Sequence, residues 1–540
     1  VLWQILKVEN MAKNRWFGLV VISMAISLVI IDGTIVNTIF PAIIEDLSLT
    51  STEVQWVQES YVLVFAALLL VWGSLGDQIG RRRLLMIGIA IFIVSSVWAG
   101  QTESADQMIL ARVIQGFGGS MVLPTTLSLV NANFQGKERG IAFAVWGATI
   151  GGMVAIGPVL GGWLATDFSW RWAFLINLPI GVLILIGLWL LVPESKSGAR
   201  GIDLMGALLS VLLFGPLVFA LIEGRIYGWW EQTDGEPFQL GDFIWPSDWI
   251  SVIPVALALS LLAGVLFVMV ENARAKAGKA VLLDLKLFSI ASFRNGSIAA
   301  LIISMGEFGL LFAIPLWLQN VLDLSPVSSG LVLLWLAAGA FIASGVGGAL
   351  SGKLPPARAV QIGVLLELVG VVGVGIFASV GSGWVPIAPL LFVYGIGVGL
   401  ATAQLTGVIM VDVPNEQAGQ ASGSQSTVRQ VGSALGIAVL GTMLFSGTQG
   451  SLESKLDELS VPESRQVMIV DAVVDSAGGA IPALEEVLTP QVGAELAKDI
   501  VLASEEAFTD GAKLSAWAAA IFLLLGFFST FRLGSRVKKG

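Results

Sequence analysis

The sequence predicts an all-α polytopic membrane protein with fourteen spans, arranged as two six-helix bundles with an inserted helix pair between them. Three observations predict it. Apolar residues make up 55% of the 540 residues and charged residues only 13%, about half the ~25% of an average soluble domain; mean hydropathy is +0.85. The apolar residues come in blocks near the ~20 residues that cross a bilayer as a helix, not in the short alternating segments of a membrane β-barrel. Finally, one loop sequence returns in degenerate form. "GSLGDQIGRRRLLMIG" (73–88) aligns with "GALSGKLPPARAVQIG" (348–363), Gly73 on Gly348, Leu75 on Leu350, Arg83 on Arg358 and Gly88 on Gly363.

The spans run, in order, over 16–40, 54–76, 84–101, 107–131, 139–164, 171–193, 204–222, 249–270, 296–321, 327–350, 358–380, 384–410, 418–446 and 513–533. Spans 3 and 7 are the shortest. Loop charge separates the two sides. Arg81 to Arg83, Lys137, Lys276, Lys279 and Lys286 lie on one; Glu103, Asp106, Glu231 and Asp248 lie on the other. Basic loops stay in the cytoplasm, so both termini are expected there. The alternation holds through every short loop, which supports the span count.

The repeated loop pairs span 2 with span 10. The expected order is a segment 1–15, a bundle 16–193, a linker 194–295 holding spans 7 and 8, a second bundle 296–533, and a tail 534–540. Such a parallel repeat is characteristic of alternating-access transporters. The segment 447–512 interrupts the second bundle on the acidic side. Its stretch "LEEVLTPQVGAELAKDIVLASEEAF" spaces apolar residues for one helical face. It reads as a solvated acidic insertion, or alternatively as a helical lid at the outer mouth. No cleavable signal peptide is expected, because the first apolar block is too long for one. "VLWQILKVEN" precedes Met11 and reads as upstream or added sequence.

The chain has no Cys and no His, which excludes disulfides, Cys/His zinc sites and histidine acid–base catalysis. No metal site is expected. No G-x-x-x-x-G-K-[ST] loop is present to drive a primary pump. "GIGVGL" (395–400) lies inside span 12 and reads as packing glycines.

Six charges fall well inside spans, away from their ends: Asp32, Glu59, Arg112, Glu307, Glu367 and Arg429. Each costs about 2.5–3.5 kcal/mol on insertion scales and needs a reason. Asp32 lies ~24 Å along its helix from Trp16 at ~1.5 Å per residue. The repeat alignment carries it onto Glu307 of "SMGEFGLLF". Desolvation and a nearby arginine act on a carboxyl in opposite directions, which suits a group that loads and releases protons. Asp32, Glu307, Glu59, Glu367 and Arg112 are the proton-coupling candidates. The other reading of an Asp32–Arg112 pair is a salt bridge that only holds helices together. A polyspecific pocket needs aromatics and Met beside few charges; the candidates are Glu307, Tyr61, Phe65, Trp146, Met305, Phe308, Phe312, Trp317 and Trp335.

With these residues in place, the chain resembles the major facilitator superfamily, and within it the 14-helix drug:proton antiporters (the QacA/EmrB-like branch). The resemblance runs from Met11 to the C-terminal span. "IDGTIVNTIFP" (31–41) resembles the branch's helix 1 motif, and "LARVIQGFGGS" (110–120) its helix 4 motif with Arg112, Gln115 and Gly116. "GSLGDQIGRRRLL" (73–85) is similar to the loop 2–3 signature. It implies a conformational latch of Gly73, Asp77, Gly80, Arg81 and Arg83, in which Asp77 bonds the next helix's start or neighbouring arginines. "GATIGGMVAIGPVLGGW" (147–163) resembles the helix 5 antiporter motif, implying a hinge and seal of Gly147, Gly151, Gly157, Pro158, Gly161 and Gly162. "WRWAFLINLPIG" (170–181) and "STVRQVGSALG" (426–436), with Arg429 and Gln430, are also similar to branch motifs. Glu59 stands where relatives carry a small polar residue.

The resemblance implies the major facilitator fold and proton-coupled export of amphipathic, cationic drugs or dyes from a bacterial cell by a monomer. The implied partners are membrane lipid, protons and a small molecule, with no nucleic acid and no cofactor besides the proton gradient. Rival readings are export of a lipid, peptide, amino acid or siderophore, proton-coupled uptake, an intramembrane enzyme, and a scaffold.

Overall fold

The computed structural model describes residues 2–49, 51–196, 201–233, 237–240, 243–350 and 354–534. The helices are α1 Leu2–Leu47, α2 Ser51–Ile79, α3 Arg81–Ala99, α4 Ala105–Asn133, α5 Gly136–Asp167, α6 Trp172–Leu175, α7 Asn177–Leu191, α8 Leu204–Glu223, α9 Val252–Lys276, α10 Ala291–Asn320, α11 Pro326–Leu350, α12 Pro356–Phe377, α13 Ala388–Met410, α14 Ala418–Glu458, α15 Glu463–Asp475, α16 Leu484–Val492 and α17 Ala494–Thr530. Strands β1 Gln239–Leu240 and β2 Phe243–Ile244 pair in the loop between α8 and α9.

Among the described residues, 13 helices are long and apolar enough to cross a membrane. A fourteenth span is α5, whose parts Glu138–Met153 and Ile156–Asp167 meet at 40°. Pro158 explains the bend, since it has no N–H for the carbonyl four residues back. Span 6 runs as one span over Arg171–Leu191, interrupted only at Ile176 between α6 and α7, three residues before Pro179, which has no N–H to give.

The two six-helix bundles are visible in the packing itself. In the first, α1 lies on α5 and α7, α3 on α4 and α7, and α2 on α4. In the second, α10 lies on α14 and α17, α12 on α13 and α17, and α11 on α13. Across the bundles, α2 meets α14 and α5 meets α11. Each contact maps onto its counterpart under the pairing of span 1 with 9, 2 with 10 and so on. The inserted pair breaks the symmetry: α8 packs on α9, α2 and α14, covering one of the two seams.

Segment 447–512 is mostly helical. α14 runs on into it as far as Glu458 and α17 begins in it at Ala494, and the contact between them is far more extensive than that of α5 with α6 in the first bundle. Its apolar face joins the second bundle's core through Leu452, Leu456, Val473, Leu484, Ile500 and Phe508. Trp317 Nε1 donates to Thr509 at 2.9 Å and Asn320 Nδ2 to the Ala477 carbonyl at 2.9 Å, so this cap is fastened to the end of α10. From the α8–α9 loop, Arg225 lies 4.3 Å over the Phe445 ring. Burial lowers the pKa of Arg225, against the pull of Asp475. Burial also pushes the nearby Tyr227 phenol up to about 12, with Glu223 adding to it.

Buried polar residues interrupt the first bundle's core. One apolar cluster holds Leu19 to Val29 of α1 with Leu85 to Ile93 of α3; another holds Ile35 to Ile43 with Ala99 to Ala111. Asp32 lies between them.

Candidate functional site

Asp32 on α1 is 1% exposed and fully partnered. Arg112 Nη1 on α4 donates to its Oδ2 at 2.7 Å, Gln115 Nε2 to Oδ1 at 2.8 Å, and Asn177 Nδ2 on α7 to Oδ1 at 3.1 Å. Arg112 and Gln115 are three residues apart, one turn of α4, so both reach α1 from the same face. Arg112 also donates to the Val57 carbonyl and to Gln115 Oε1. The Tyr61 ring lies 4.3 Å from its guanidinium, a cation–π contact strengthened by desolvation. Asn177 is held by a second bond to Ser96 Oγ at 2.8 Å. Three helices thus meet on one carboxyl, with α2 and α3 bonded to the groups that hold it. In this arrangement its charge is compensated, and the proton-coupling role and the structural salt bridge share one geometry.

In the second bundle Glu307, on α10, is 3% exposed. Arg429 Nη2 on α14 reaches its Oε2 at 3.4 Å and Thr402 Oγ1 on α13 donates to its Oε1 at 3.3 Å. Glu367, on α12, is 0% exposed. Glu59 is half-buried, with its Oε2 unpartnered among the described residues.

The latch closes at the basic end, where Asp77 holds Arg81, the first residue of α3, and also reaches across to the other bundle. Asp77 accepts from the Gly419 and Gln420 N–H groups at 2.9 and 3.1 Å, at the N-terminus of α14. The dipole there favours a carboxylate. Arg81 binds Asp77 at 2.6 Å and the Asn415 carbonyl at 2.8 Å. A Cβ on Gly73 would lie 2.6 Å from the Gly423 Cα, so α2 and α14 touch backbone to backbone. The start of α3 is capped by Glu194, which accepts from Arg82 N at 3.0 Å and Arg83 N at 3.1 Å. Gly80, at φ 119°, brings the chain past that carboxylate where a Cβ would collide with it. Arg83 leaves the latch: its side chain is 67% exposed, with Nε 3.8 Å from Glu194.

Gln420 also ties the inserted pair to this latch. Asp284 N donates to its Oε1 at 3.0 Å, while Leu283 N donates to Glu271 on α9 at 3.3 Å.

The small residues of α5 face three helices rather than one. Gly157 and Gly161 meet Thr34 and Ile35 of α1; Gly151 and Gly162 meet Ala340 and Val327 of α11; Gly147 meets Ala403 of α13. Pro158 faces Gly330 of α11. The α13 glycines pack as expected, Gly395 and Gly399 on α11 and Gly397 on α12.

The aromatic candidates divide. Tyr61 stacks on Phe65 at 5.8 Å beneath Arg112, and Trp146 donates to Thr126 Oγ1 at 3.2 Å. Met305, Phe308 and Phe312 are half-buried on α10, and Phe312 meets Phe445 at 6.4 Å. Trp317 leaves the set, because its indole is committed to Thr509. Trp335 is 48% exposed on α11, its ring 6.4 Å from that of Phe392 on α13.

Sequence reasoning missed Asn177 and Glu194 as participants. "INLPIG" contained the first, but an amide costs little to bury and does not stand out. Arg171 was also unassigned. It binds Asp46 at 2.8 Å and the Thr102 carbonyl at 2.7 Å, joining three segments at the acidic end.

The family model for the Major Facilitator Superfamily matches residues 22–437. The chain is 32% identical over 447 residues to the "Probable actinorhodin transporter" of Streptomyces coelicolor, covering 81% of this chain and 74% of that one. It is 30% identical over 533 residues to the "Multidrug resistance protein Stp" of Mycobacterium tuberculosis, covering 97% and 92%. It is also 30% identical over 513 residues to the "Multidrug efflux pump LfrA" of Mycolicibacterium smegmatis, covering 95% and 94%. Among solved structures, the human organic anion transporter MFSD10 superposes with a TM-score of 0.59 at 12% identity, covering 96% of this chain and 99% of that one. A bacterial homolog of the lysosomal transporter Spinster does so at 0.53 and 15%, covering 97% and 99%; both show the fold alone. The chain is a multi-pass membrane transporter, not an enzyme, and belongs to the major facilitator superfamily.

Proposed function

We propose that this secondary transporter exports amphipathic cations, drugs or dyes, from a bacterial cell in exchange for protons. The observation that carries the reading is the sealed Asp32–Arg112 pair at 2.7 Å, an ionisable group inside a span where only function or close pairing repays its cost. Asp32 takes a proton when a conformational change draws Arg112 away, and yields it when the pair re-forms. Glu307 serves cargo, attracting cations toward Phe308, Phe312 and Met305 on the same helix. Relatives named for multidrug and antibiotic export support outward transport. The energy source is the proton gradient, with no cofactor.

In this reading the bundles 16–193 and 296–533 rock about the α2–α14 and α5–α11 seams, as in alternating access. Both seams close within one chain, so it works as a monomer. The basic end lies in the cytoplasm with both termini, in the inner membrane.

The test is ethidium transport in everted membrane vesicles. Proton-driven accumulation that a protonophore abolishes is expected; accumulation that survives the protonophore removes the reading. Glu307→Gln is expected to lower transport of cationic dyes about tenfold or more while sparing neutral cargo, and equal losses for both would place Glu307 outside cargo recognition. Gly162→Leu forces a side chain into Val327 and is expected to hold the α5–α11 seam apart. Ethidium transport should fall to background while the protein still elutes as a folded peak from gel filtration; full transport would show that the seam need not close.

A further inference from the structure

We propose that the second bundle holds a proton site of its own, in which Glu367 and Glu307 share one proton beside Arg429. The inference rests on the proton-exchange reading above and adds a second proton to it.

Glu367 is unlike Asp32. It is wholly buried, and among the described residues neither carboxyl oxygen has a hydrogen-bond partner. It lies within electrostatic reach of Glu307 and Arg429. α13 lies directly upon it: a Cβ on Gly397 would be 2.5 Å from its N and 2.7 Å from its Cγ. The groups facing it are few. α10 brings Glu307, α14 brings Arg429, and α13 brings Tyr394, whose hydroxyl is spent on the Glu307 backbone carbonyl at 3.2 Å. The α17 stretch 516–523 is apolar.

Charge balance then decides the state. In the first bundle one carboxylate faces one guanidinium and the sum is zero. In the second, two carboxylates face one guanidinium. With both ionised, one negative charge remains in a buried interior, unpaired and undonated, which is the costly case. A single proton on the pair removes it. Glu307 is the member with donors, so Glu367 carries the proton in this arrangement. When a cationic cargo is held by Glu307, a second positive charge faces the two carboxyls, the balance changes and the proton leaves.

The consequence is electrical. One proton exchanged for a monovalent cation moves no net charge, whereas two protons move one. With purified protein in liposomes, an imposed potential of about 60 mV is expected to change the steady-state ethidium gradient about tenfold in the wild type. Glu367→Gln is expected to keep proton-driven transport and lose that voltage response. A wild type that is proton-driven but indifferent to voltage overturns the second site, as does Glu367→Gln that still responds. A wild type without proton dependence overturns the exchange reading itself, which keeps the two failures distinct. Should Glu367→Gln fail to fold, Glu367→Asp is expected to retain the voltage response and to shift the infrared C=O stretch of a protonated carboxyl. An unshifted band overturns the assignment.

Discussion

Asp32→Asn is expected to reduce proton-driven ethidium accumulation to the level of vesicles without the protein, for every cargo alike, because the lost proton site is common to all. The amide cannot carry the charge that Arg112 neutralises, and Arg112 is itself 1% exposed. Removing one partner of a buried pair costs about 3–5 kcal/mol, since the other charge is left uncompensated. Asp32→Asn is therefore also expected to melt at a lower temperature in detergent. That double effect would leave two explanations standing, lost coupling and lost structure. Asp32→Asn combined with Arg112→Gln separates them. The double variant is neutral and keeps amide hydrogen bonds to Gln115 and Asn177, so its melting temperature should return most of the way to wild type. Transport should not return. Recovery of proton-driven transport in the double variant would show that the pair only fastens α1 to α4.

The second large effect is expected at the opposite feature, the latch between the bundles. Asp77→Asn keeps the shape but loses the negative charge that meets the N-terminus of α14 and the Arg81 guanidinium. Hydrogen bonds to charged groups contribute about 1.5–3 kcal/mol each, and every ~1.4 kcal/mol is tenfold in population. The state closed at the basic end should lose at least about tenfold in occupancy. The chain contains no cysteine, so a single introduced thiol is an unambiguous reporter. A cysteine at Ser422, buried on α14 one turn beyond Gly419, should be labelled by a polar maleimide about tenfold faster in Asp77→Asn than in its absence. Equal labelling rates would show that α2 and α14 are held together by their glycine contact alone.

Both predictions concern residues that stand out in the sequence alone. Asp32 and Arg112 are conspicuous because a charge in a span has a cost that few structures repay. The latch is conspicuous as a motif, yet its partner is not. Asp77 binds backbone groups of Gly419 and Gln420, 342 and 343 residues away, and any residue type supplies an N–H. Glu194 resembles any other loop acid until it is found capping α3. Asn177 is an ordinary amide until Asp32 is found beside it, 145 residues distant. The acidic segment 447–512 showed its helical face but not that α14 and α17 extend into it from either end. Its residues are as polar as those of a loop, and the continuation is decided by their packing on each other.

By itself the sequence determined the number of spans, their order, the repeat and the buried carboxyls, because hydropathy, loop charge and the cost of charge in hydrocarbon act on residues where they stand. Only the tertiary structure decided which donors reach which carboxyl. Asp32 has Arg112, Gln115 and Asn177, while Glu367, among the described residues, has none. Hydrogen bonds and ion pairs act over a few ångströms of space, and helices far apart in the chain are brought within that range only by packing.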